Sequence, residues 1–170
     1  MKFLLVIVAA LSISCAGARA AQNCGAQASV CFQNVKAGFA LIHKNQPAAI
    51  VVDAAADPAV LHAAENFAED IKRVGGNAPP VLRDISEADG AVVIVGALGQ
   101  SVLIDSLVSD GKIEADDIKG EWEAYRQVVV DRPFPNVNRA LVIAGSDRRG
   151  AVYGVYDLSE KIGVSPWYWF

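Results

Sequence analysis

The sequence has few histidines and cysteines, the side chains that most metal sites and nucleophilic centres need. Its 170 residues include two histidines and three cysteines. His43 and His62 are far apart, and neither lies near a serine or cysteine motif of the kind that a catalytic triad uses. We therefore predict no metal site, no cofactor and no nucleophilic active site in this chain.

Positive charge is also scarce. The chain has 15 lysines and arginines against 19 aspartates and glutamates, which gives a formal net charge of −4. The basic residues form no stripe with interleaved aromatic residues, whereas nucleic-acid binding depends on basic contacts to phosphate. We predict that nucleic acid is not a partner.

No apolar run is long enough to cross a bilayer. Lys2 precedes an apolar run over residues 3–11, and Ala18-Arg19-Ala20 offers a small-x-small cleavage site. The apolar run spans roughly 14–18 Å as a helix, whereas a hydrocarbon core is about 30 Å thick. We predict a signal peptide over residues 1–20 and a secreted, extracellular mature chain with no membrane attachment after cleavage.

A lipoprotein anchor is the rival interpretation of the same segment. It would use Cys15, but Ser12 stands where a large aliphatic residue is usual. The signal peptide is therefore the preferred interpretation.

Two cysteines, Cys24 and Cys31, follow the predicted cleavage site. In an exported chain they are candidates for a disulfide within an N-terminal extension over residues 21–35. A loop this short would contribute about 2–3 kcal/mol. A metal pair is the alternative, but no histidine lies nearby to complete it.

The strongest local signal is a strand followed by a helix. Residues 48–53 form a short apolar run typical of a strand that is covered on both faces. Asp57-Pro58 then predicts a helix start, and Gly75-Gly76 predicts its end. Apolar residues recur at steps of four and three and predict one buried helical stripe, formed by Val60, Ala64, Phe67, Ile71 and Val74.

Helices and strands alternate along the rest of the chain. The pattern predicts strands at 80–83, 91–95, 124–131 and 140–144, a turn at 116–120, a proline-rich loop at 133–136, and weaker strands at 30–35 and 39–42. It also predicts a helix over 101–109 and another that begins at Ser146 or Asp147, with Val152, Tyr156, Leu158 and Ile162 facing the sheet. Two adjacent strand pairs argue against a purely parallel sheet. We predict an α/β (α+β) fold with a mixed β-sheet and packed helices.

Gly96 and Gly99 join a predicted strand to a predicted helix. Such glycines can bring backbone N–H groups close to an anion at a helix N-terminus. However, the dinucleotide motif needs a third glycine and an acidic residue, and the Walker motif needs a lysine. A tight turn is the preferred interpretation, and a nucleotide-binding domain is a minor alternative.

The segment 145–154 contains more residues that could cap a helix or bind a ligand than the loop at Gly96 and Gly99 does. Asp147 is a candidate helix cap, and Gly150 and Gly154 would let the helix lie close to the sheet. Tyr153 could place its ring on the core and its hydroxyl at the rim. Asp147 and Arg148 are candidate contacts to a sugar or to a neighbouring domain.

The acidic pairs of the sequence do not indicate a glycosidase site. Asp116-Asp117, Glu69-Asp70, and Glu121 with Glu123 lie in polar loops or on a predicted helix surface. A glycosidase needs two carboxyl groups across one bond, and the pKa of one of them must be raised by its surroundings. We predict that these carboxylates are solvated and that no residue is catalytic.

The chain ends in Trp167-Tyr168-Trp169-Phe170. Four consecutive aromatic residues would expose a large apolar patch, which stable monomers avoid. The preferred interpretation is that these residues form a junction with another domain. The second is that they pack on this domain's own core, and the third is that they form an exposed platform for a sugar.

Three segments resemble one family. Residues 95–105, 117–125 and 140–169 resemble the N-terminal domain of glycoside hydrolase family 115, the xylan α-1,2-glucuronidases, and the resemblance extends over residues 36–169. The pattern Gly-x-Asp-x-Arg-Gly-x-x-Tyr-Gly at 145–154 is also similar to the accessory domain of hexosaminidases and of other α-glucuronidases.

The resemblance implies a hexosaminidase domain-2-like fold and a non-catalytic accessory domain over residues 36–170. It implies a catalytic (β/α)8 barrel of the same parent protein as the missing partner, and xylan or xylo-oligosaccharide bound through that parent. Asp147, Arg148, Trp167 and Trp169 would then lie at the pocket rim or the domain junction. Phe170 departs from the family, in which another tryptophan is usual.

Family 115 enzymes release glucuronic acid or its 4-O-methyl form from xylan. No catalytic residue of the family can be placed on this chain, so we expect the fragment itself to be inactive. The alternative is a stand-alone secreted carbohydrate-binding module that uses the terminal aromatic residues.

Overall fold

The computed structural model describes residues 30–31 and 38–165. The strands are β1 (Ile42–His43), β2 (Gln46–Pro47), β3 (Ala49–Val52), β4 (Val81–Leu82), β5 (Gly90–Ala97), β6 (Tyr125–Phe134) and β7 (Val137–Gly145). The helices are α1 (Pro58–Gly75), α2 (Val102–Ser109) and α3 (Arg148–Lys161), with a short 3₁₀ helix at Ile85–Glu87. The predicted signal peptide, Cys24 and the terminal aromatic residues lie outside the described residues.

The central sheet has the strand order β4-β3-β5-β7-β6. Strand β3 runs parallel to β4 and β5, and β5 runs parallel to β7. Strand β6 is antiparallel to β7, with which it forms a hairpin. The predicted mixed sheet with packed helices is confirmed.

The central strands are almost wholly apolar because helices cover both faces of the sheet. Alternate residues of β3 and β5 point to opposite sides. Ile50, Val52, Val93 and Val95 pack with α1 and α3 in one core cluster. The other side packs against α2 and the segment 113–118, and it includes Val51, Val92, Ile94 and Val142.

Helix α1 follows its sequence signals closely. The Asp57 side chain accepts a hydrogen bond from the Ala59 N–H, and Gly76 ends the helix in the left-handed conformation at φ 88°. The predicted stripe is buried except for Val74, which is 46% exposed because it lies in the last turn. Asp70, predicted to be solvated, is buried and pairs with Arg73 at 3.0 Å.

The loop predicted at residues 133–136 is shorter in the structure. Strand β6 continues through Pro133 to Phe134, and the turn occupies residues 135–136. Proline is tolerated here because β6 is an edge strand, where one row of N–H groups has no partner strand. The pairing register shifts between Asp131 and Phe134.

The predicted weak strands near the N-terminus are corrected. Strand β1 pairs with β2 in a small antiparallel hairpin, so only Ile42 of the predicted 39–42 strand is in a strand. Residues 30–31 are described and are not in a strand, and residues 32–35 lie outside the description.

Helix α3 begins at the Asp147 cap, and the predicted buried face is confirmed in part. Leu158 and Ile162 are buried as predicted, and Val152 is half-buried against the same core, whereas Tyr156 is not buried. Ala151, Val155 and Leu158 are buried, whereas Tyr156 is 38% exposed and Tyr153 is 40% exposed. The reason is steric. A side chain at Gly154 would collide with Ile143 and Tyr125, so the glycine side lies on the sheet and the two tyrosines remain partly exposed. The Tyr156 hydroxyl accepts a hydrogen bond from Asn66 Nδ2 of α1 at 2.9 Å.

Candidate functional site

The candidate site is the edge of the sheet where the parallel strands end. Asp53 follows β3, residues 98–101 follow β5, and the turn at 146–147 follows β7. After β3 the chain passes through α1 to β4 at one edge of the sheet. After β5 it passes through α2 to β6 and β7, which lie toward the other edge. Open α/β sheets bind ligands at such a switch point.

The switch point between β3 and β5 is closed by protein groups. The Ser101 hydroxyl donates a hydrogen bond to the Asp53 carboxylate and accepts one from the Ile104 N–H at 3.2 Å. Ser101 is buried, and a side chain at Gly96 would lie 2.5 Å from the Ser101 Cβ. The crevice that would hold a ligand in a related fold is therefore filled.

The loop 97–101 does not present free N–H groups to an anion. Leu98 donates to the Gly145 carbonyl at 2.9 Å, and Ser101 donates to the Ala97 carbonyl at 3.0 Å. The Gly99 N–H donates to Asp105 Oδ1 at 2.8 Å. Because the Gly99 N–H is already hydrogen-bonded to the Asp105 carboxylate, the geometry disfavours a phosphate site and supports the tight-turn interpretation.

Asp147 binds backbone groups through both carboxylate oxygens. Its Oδ1 accepts from the Gly150 N–H at 2.7 Å, and its Oδ2 accepts from the Glu123 N–H at 3.3 Å. The Gly150 N–H is the main reason that the pKa of Asp147 lies below its ordinary value. Asp147 thus fixes the start of α3 and the loop before β6.

Arg148 joins the beginnings of two helices. Its Nη1 lies 3.3 Å from Asp57 Oδ2, and the Arg148 side chain is 62% exposed. The Ala59 N–H, and then Arg148, hold the pKa of Asp57 below its ordinary value. The structure therefore places Asp147 and Arg148 at one edge, while Trp167 and Trp169 lie outside the described residues.

Among residues 30–31 and 38–165, the most exposed large apolar side chain is Trp122, which was not singled out from the sequence. Trp122 is 84% exposed and precedes Glu123, whose backbone is left-handed at φ 57°. Arg149 Nη2 lies 3.0 Å from Glu123 Oε1 and donates to the Tyr153 hydroxyl at 3.0 Å. We call these four residues, Trp122, Glu123, Arg149 and Tyr153, the Trp122 surface. The signal available in the sequence was a tryptophan flanked by two glutamates in a polar loop.

The acidic side chains of the described residues give no sign of a glycosidase acid. The pKa is lowered at Asp57, Asp84, Asp117 and Asp147. A hydrogen bond from Arg126 is the main cause at Asp117, with Nη2 2.6 Å from the carboxylate. A general acid needs the opposite shift.

A shallow pocket of about 330 Å³ lies at the β6–β7 turn, beside Lys112 and Phe134. Lys112 Nζ already donates to the Pro133 carbonyl at 2.7 Å and pairs with Asp110 at 3.4 Å. Its charge is therefore engaged by the protein itself.

Cys31 is disulfide-bonded. The predicted partner Cys24 lies outside the described residues, so the Cys24–Cys31 pairing stays a prediction. Residues 30–31 and 38–165 contain no group of three or more potential metal ligands. Over the same part of the chain, no helix combines the length and the apolar character needed to cross a bilayer.

Comparison with known proteins finds matches among solved structures. No family model matches the chain, and no curated protein matches it significantly. Among solved structures the chain is similar to BtGH115A, a family GH115 4-O-methyl-alpha-glucuronidase with specificity for decorated arabinogalactans, at 28% identity and a TM-score of 0.58. CpGH84D is matched more weakly, at 16% identity and a TM-score of 0.44 over 69% of this chain and 18% of that one.

The similarity to BtGH115A covers 73% of this chain but only 14% of BtGH115A. The chain thus has a fold like that of one domain of a GH115 enzyme. At a coarse level this indicates a domain of a carbohydrate-active protein.

Proposed function

We propose that this chain is the N-terminal accessory domain of a secreted glycoside hydrolase resembling the family 115 α-glucuronidases, which remove glucuronic acid or its 4-O-methyl form from xylan. One observation carries the proposal. The similarity to BtGH115A extends over 73% of this chain at 28% identity, yet it accounts for 14% of that enzyme.

The chemistry of the described residues supports a non-catalytic role. The carboxylates with shifted pKa values are held in the ionised form, so they are poor proton donors near neutral pH. Asp147, a sequence candidate for sugar contact, is committed to two backbone N–H groups. The domain's role is to support a catalytic (β/α)8 barrel of the parent protein, through which xylan or xylo-oligosaccharide is bound.

Reading the transcript beyond codon 170 tests this proposal. We expect an in-frame continuation that encodes a catalytic barrel, and we expect the product of the whole reading frame to release uronic acid from glucuronoxylan. A stop codon directly after Phe170 in the mature transcript would contradict the proposal.

A stand-alone carbohydrate-binding module is the second candidate. The Trp122 surface favours it, because an indole that is 84% exposed is available to a partner. A stop codon after Phe170 together with saturable saccharide binding would select this candidate over the first.

A further inference from the structure

The pocket at the β6–β7 turn lies at the end of the sheet opposite the filled crevice, and its lining is mixed. Its volume is about 330 Å³. Apolar side chains of the turn, among them Phe134 and Val137, form much of the lining, and Lys112, Arg132 and Asn138 are its polar members. Of the described residues that line the pocket, none is acidic. Small-molecule sites combine apolar walls with a few polar groups in this way.

Arg132 differs from the two neighbouring cations, Lys112 and Arg139, because its side chain is unpaired. Lys112 Nζ lies 3.4 Å from Asp110 Oδ2, and Arg139 Nε lies 3.1 Å from Asp131 Oδ1. Within the described part of the chain, the exposed Arg132 side chain has no such carboxylate partner. Its positive charge is therefore left for a ligand to balance.

The backbone holds Arg132 in an unfavourable conformation. Its φ is 50°, in the left-handed region that favours glycine, and it lies where the pairing register of β6 shifts between Asp131 and Phe134. Irregularities of this kind re-aim a side chain, and strain that the surroundings maintain is concentrated at functional sites. Glycine would adopt this conformation more easily, so the chain keeps a guanidinium where folding alone favours glycine.

Lys112 is held in place by the same turn. Its Nζ donates to the Pro133 carbonyl at 2.7 Å and lies 6.0 Å from the centre of the Phe134 ring. Its contact with Asp110 uses a second N–H, so one of the three ammonium donors is left for a ligand. Because Asp110 offsets the charge of Lys112, Arg132 is the main anchor for an anion.

The lining selects the chemistry of the ligand. A guanidinium and a carboxylate can form two parallel hydrogen bonds, and the planar fork of arginine matches a carboxylate in shape and charge. A phosphate carries more charge and would need a further unpaired cation, whereas Lys112 is already offset by Asp110. The apolar residues of the turn favour a hydrocarbon body over a hydroxylated one, because its contact with them removes apolar surface from water.

We propose that the pocket at the β6–β7 turn binds a small monocarboxylate with an apolar body, and that Arg132 holds the carboxylate. The site is separate from Asp147 and Arg148, which lie at the opposite end of the sheet. The inference does not rest on the proposed function, so either can fail without the other.

The first test titrates the ¹⁵N-labelled exported chain with sodium benzoate at constant ionic strength and follows its backbone N–H signals by NMR. Benzamide is the neutral probe of the same shape. We expect the signals of Arg132, Phe134 and Asn138 to move saturably with millimolar benzoate, and benzamide to bind about fivefold more weakly or less, because it lacks the charge-assisted hydrogen bonds. Equal affinity for the two probes, or no saturable movement of these signals, would overturn the proposal.

The second test uses substitutions at Arg132. Arg132→Gly should weaken benzoate binding about tenfold or more, and Arg132→Lys should weaken it several-fold because the planar fork is lost. The Arg132→Gly variant should unfold in urea at or above the wild-type midpoint, because glycine relieves the backbone strain. Loss of binding would then not reflect loss of folding.

Lys44→Gly is the matched control, because Lys44 is an exposed cation at φ 49° that does not line the pocket. We expect it to bind benzoate as the wild type does. Equal benzoate affinities of Arg132→Gly and Lys44→Gly would overturn the proposal, whether both are unchanged or both are weakened.

A third titration tests the apolar body of the ligand. Sodium glucuronate carries the same carboxylate on a hydroxylated ring, and it should bind more weakly than benzoate because the walls of the pocket are largely apolar. Tighter binding of glucuronate than of benzoate would overturn the assignment of an apolar ligand.

Discussion

Gly150 controls how closely α3 approaches the start of β6, so Gly150→Ala is an informative perturbation. A Cβ at this position would overlap the carbonyl oxygen of Ala124 and lie 3.0 Å from its carbon. That carbonyl accepts hydrogen bonds from the Ser146 N–H at 2.8 Å and from the Ser146 hydroxyl at 3.0 Å. The collision is with backbone, so no change of rotamer relieves it.

The magnitude follows from opposing contributions. Alanine in a helix gains up to about 1 kcal/mol over glycine. Overpacking costs about 1–3 kcal/mol, and loss of a hydrogen bond to the displaced carbonyl adds about 1 kcal/mol. We therefore expect Gly150→Ala to lower the free energy of unfolding by about 1–4 kcal/mol.

Urea unfolding followed by far-UV circular dichroism measures this change, provided that the m-values of wild type and variant agree. Gly75→Ala is the matched control, because its new Cβ would meet only the tip of the Ile42 side chain, which can turn away. The control should differ from wild type by no more than about 1 kcal/mol. A Gly150→Ala midpoint at or above that of wild type would refute the close contact between α3 and Ala124.

The remaining predictions use the same unfolding assay. Phe67→Ala should cost about 3–5 kcal/mol, because this ring is fully buried under α1; a loss below about 1 kcal/mol would contradict the core assignment. Asp147→Ala should cost about 1 kcal/mol or more, because the cap of α3 is lost together with the bond to the Glu123 N–H; an unchanged midpoint would argue against that role. The pKa of Asp147 is lowered in the folded state, mainly by the hydrogen bond from the Gly150 N–H, so its contribution to stability is present above its unfolded pKa and is lost as the pH falls through the lower folded value. Unfolding measured between about pH 2 and 5 should therefore depend less on pH in Asp147→Asn than in wild type, and equal slopes would contradict the assignment. Arg148→Ala should leave stability nearly unchanged, because exposed ion pairs contribute little; a loss as large as that of Asp147→Ala would contradict this.

Features with local signals were predicted well from the sequence. Asp57, Pro58 and Gly76 mark the ends of α1 through capping chemistry that depends only on neighbouring residues. The buried strands were predicted for a similar reason, since a sheet covered on both faces requires continuous apolar runs.

Features set by tertiary contacts were not predicted. Pro133 extends β6 instead of ending it because β6 lies at the edge of the sheet, which the local sequence does not show. Tyr156 remains 38% exposed because Gly154 packs against Ile143 and Tyr125, residues distant in sequence. Predicting the orientation of α3 requires knowing which strand lies beneath it.

At the candidate site, too, the local features were predicted and the tertiary contacts were not. Asp147 was predicted as a cap and is one, whereas its bond to the Glu123 N–H joins segments 24 residues apart. Trp122 directly precedes Glu123 and is 84% exposed, and the exposure of a single tryptophan in a polar loop depends on the folded surroundings, which the local sequence does not show.

We propose that this domain supports catalysis performed by another domain of a parent protein. The most direct measurement is the release of 4-O-methylglucuronic acid from glucuronoxylan oligosaccharides by the purified 170-residue product, assayed beside the product of the complete reading frame. We expect release by the longer protein and none by the 170-residue product above a no-protein blank. Uronic acid release by the 170-residue product alone would contradict the claim.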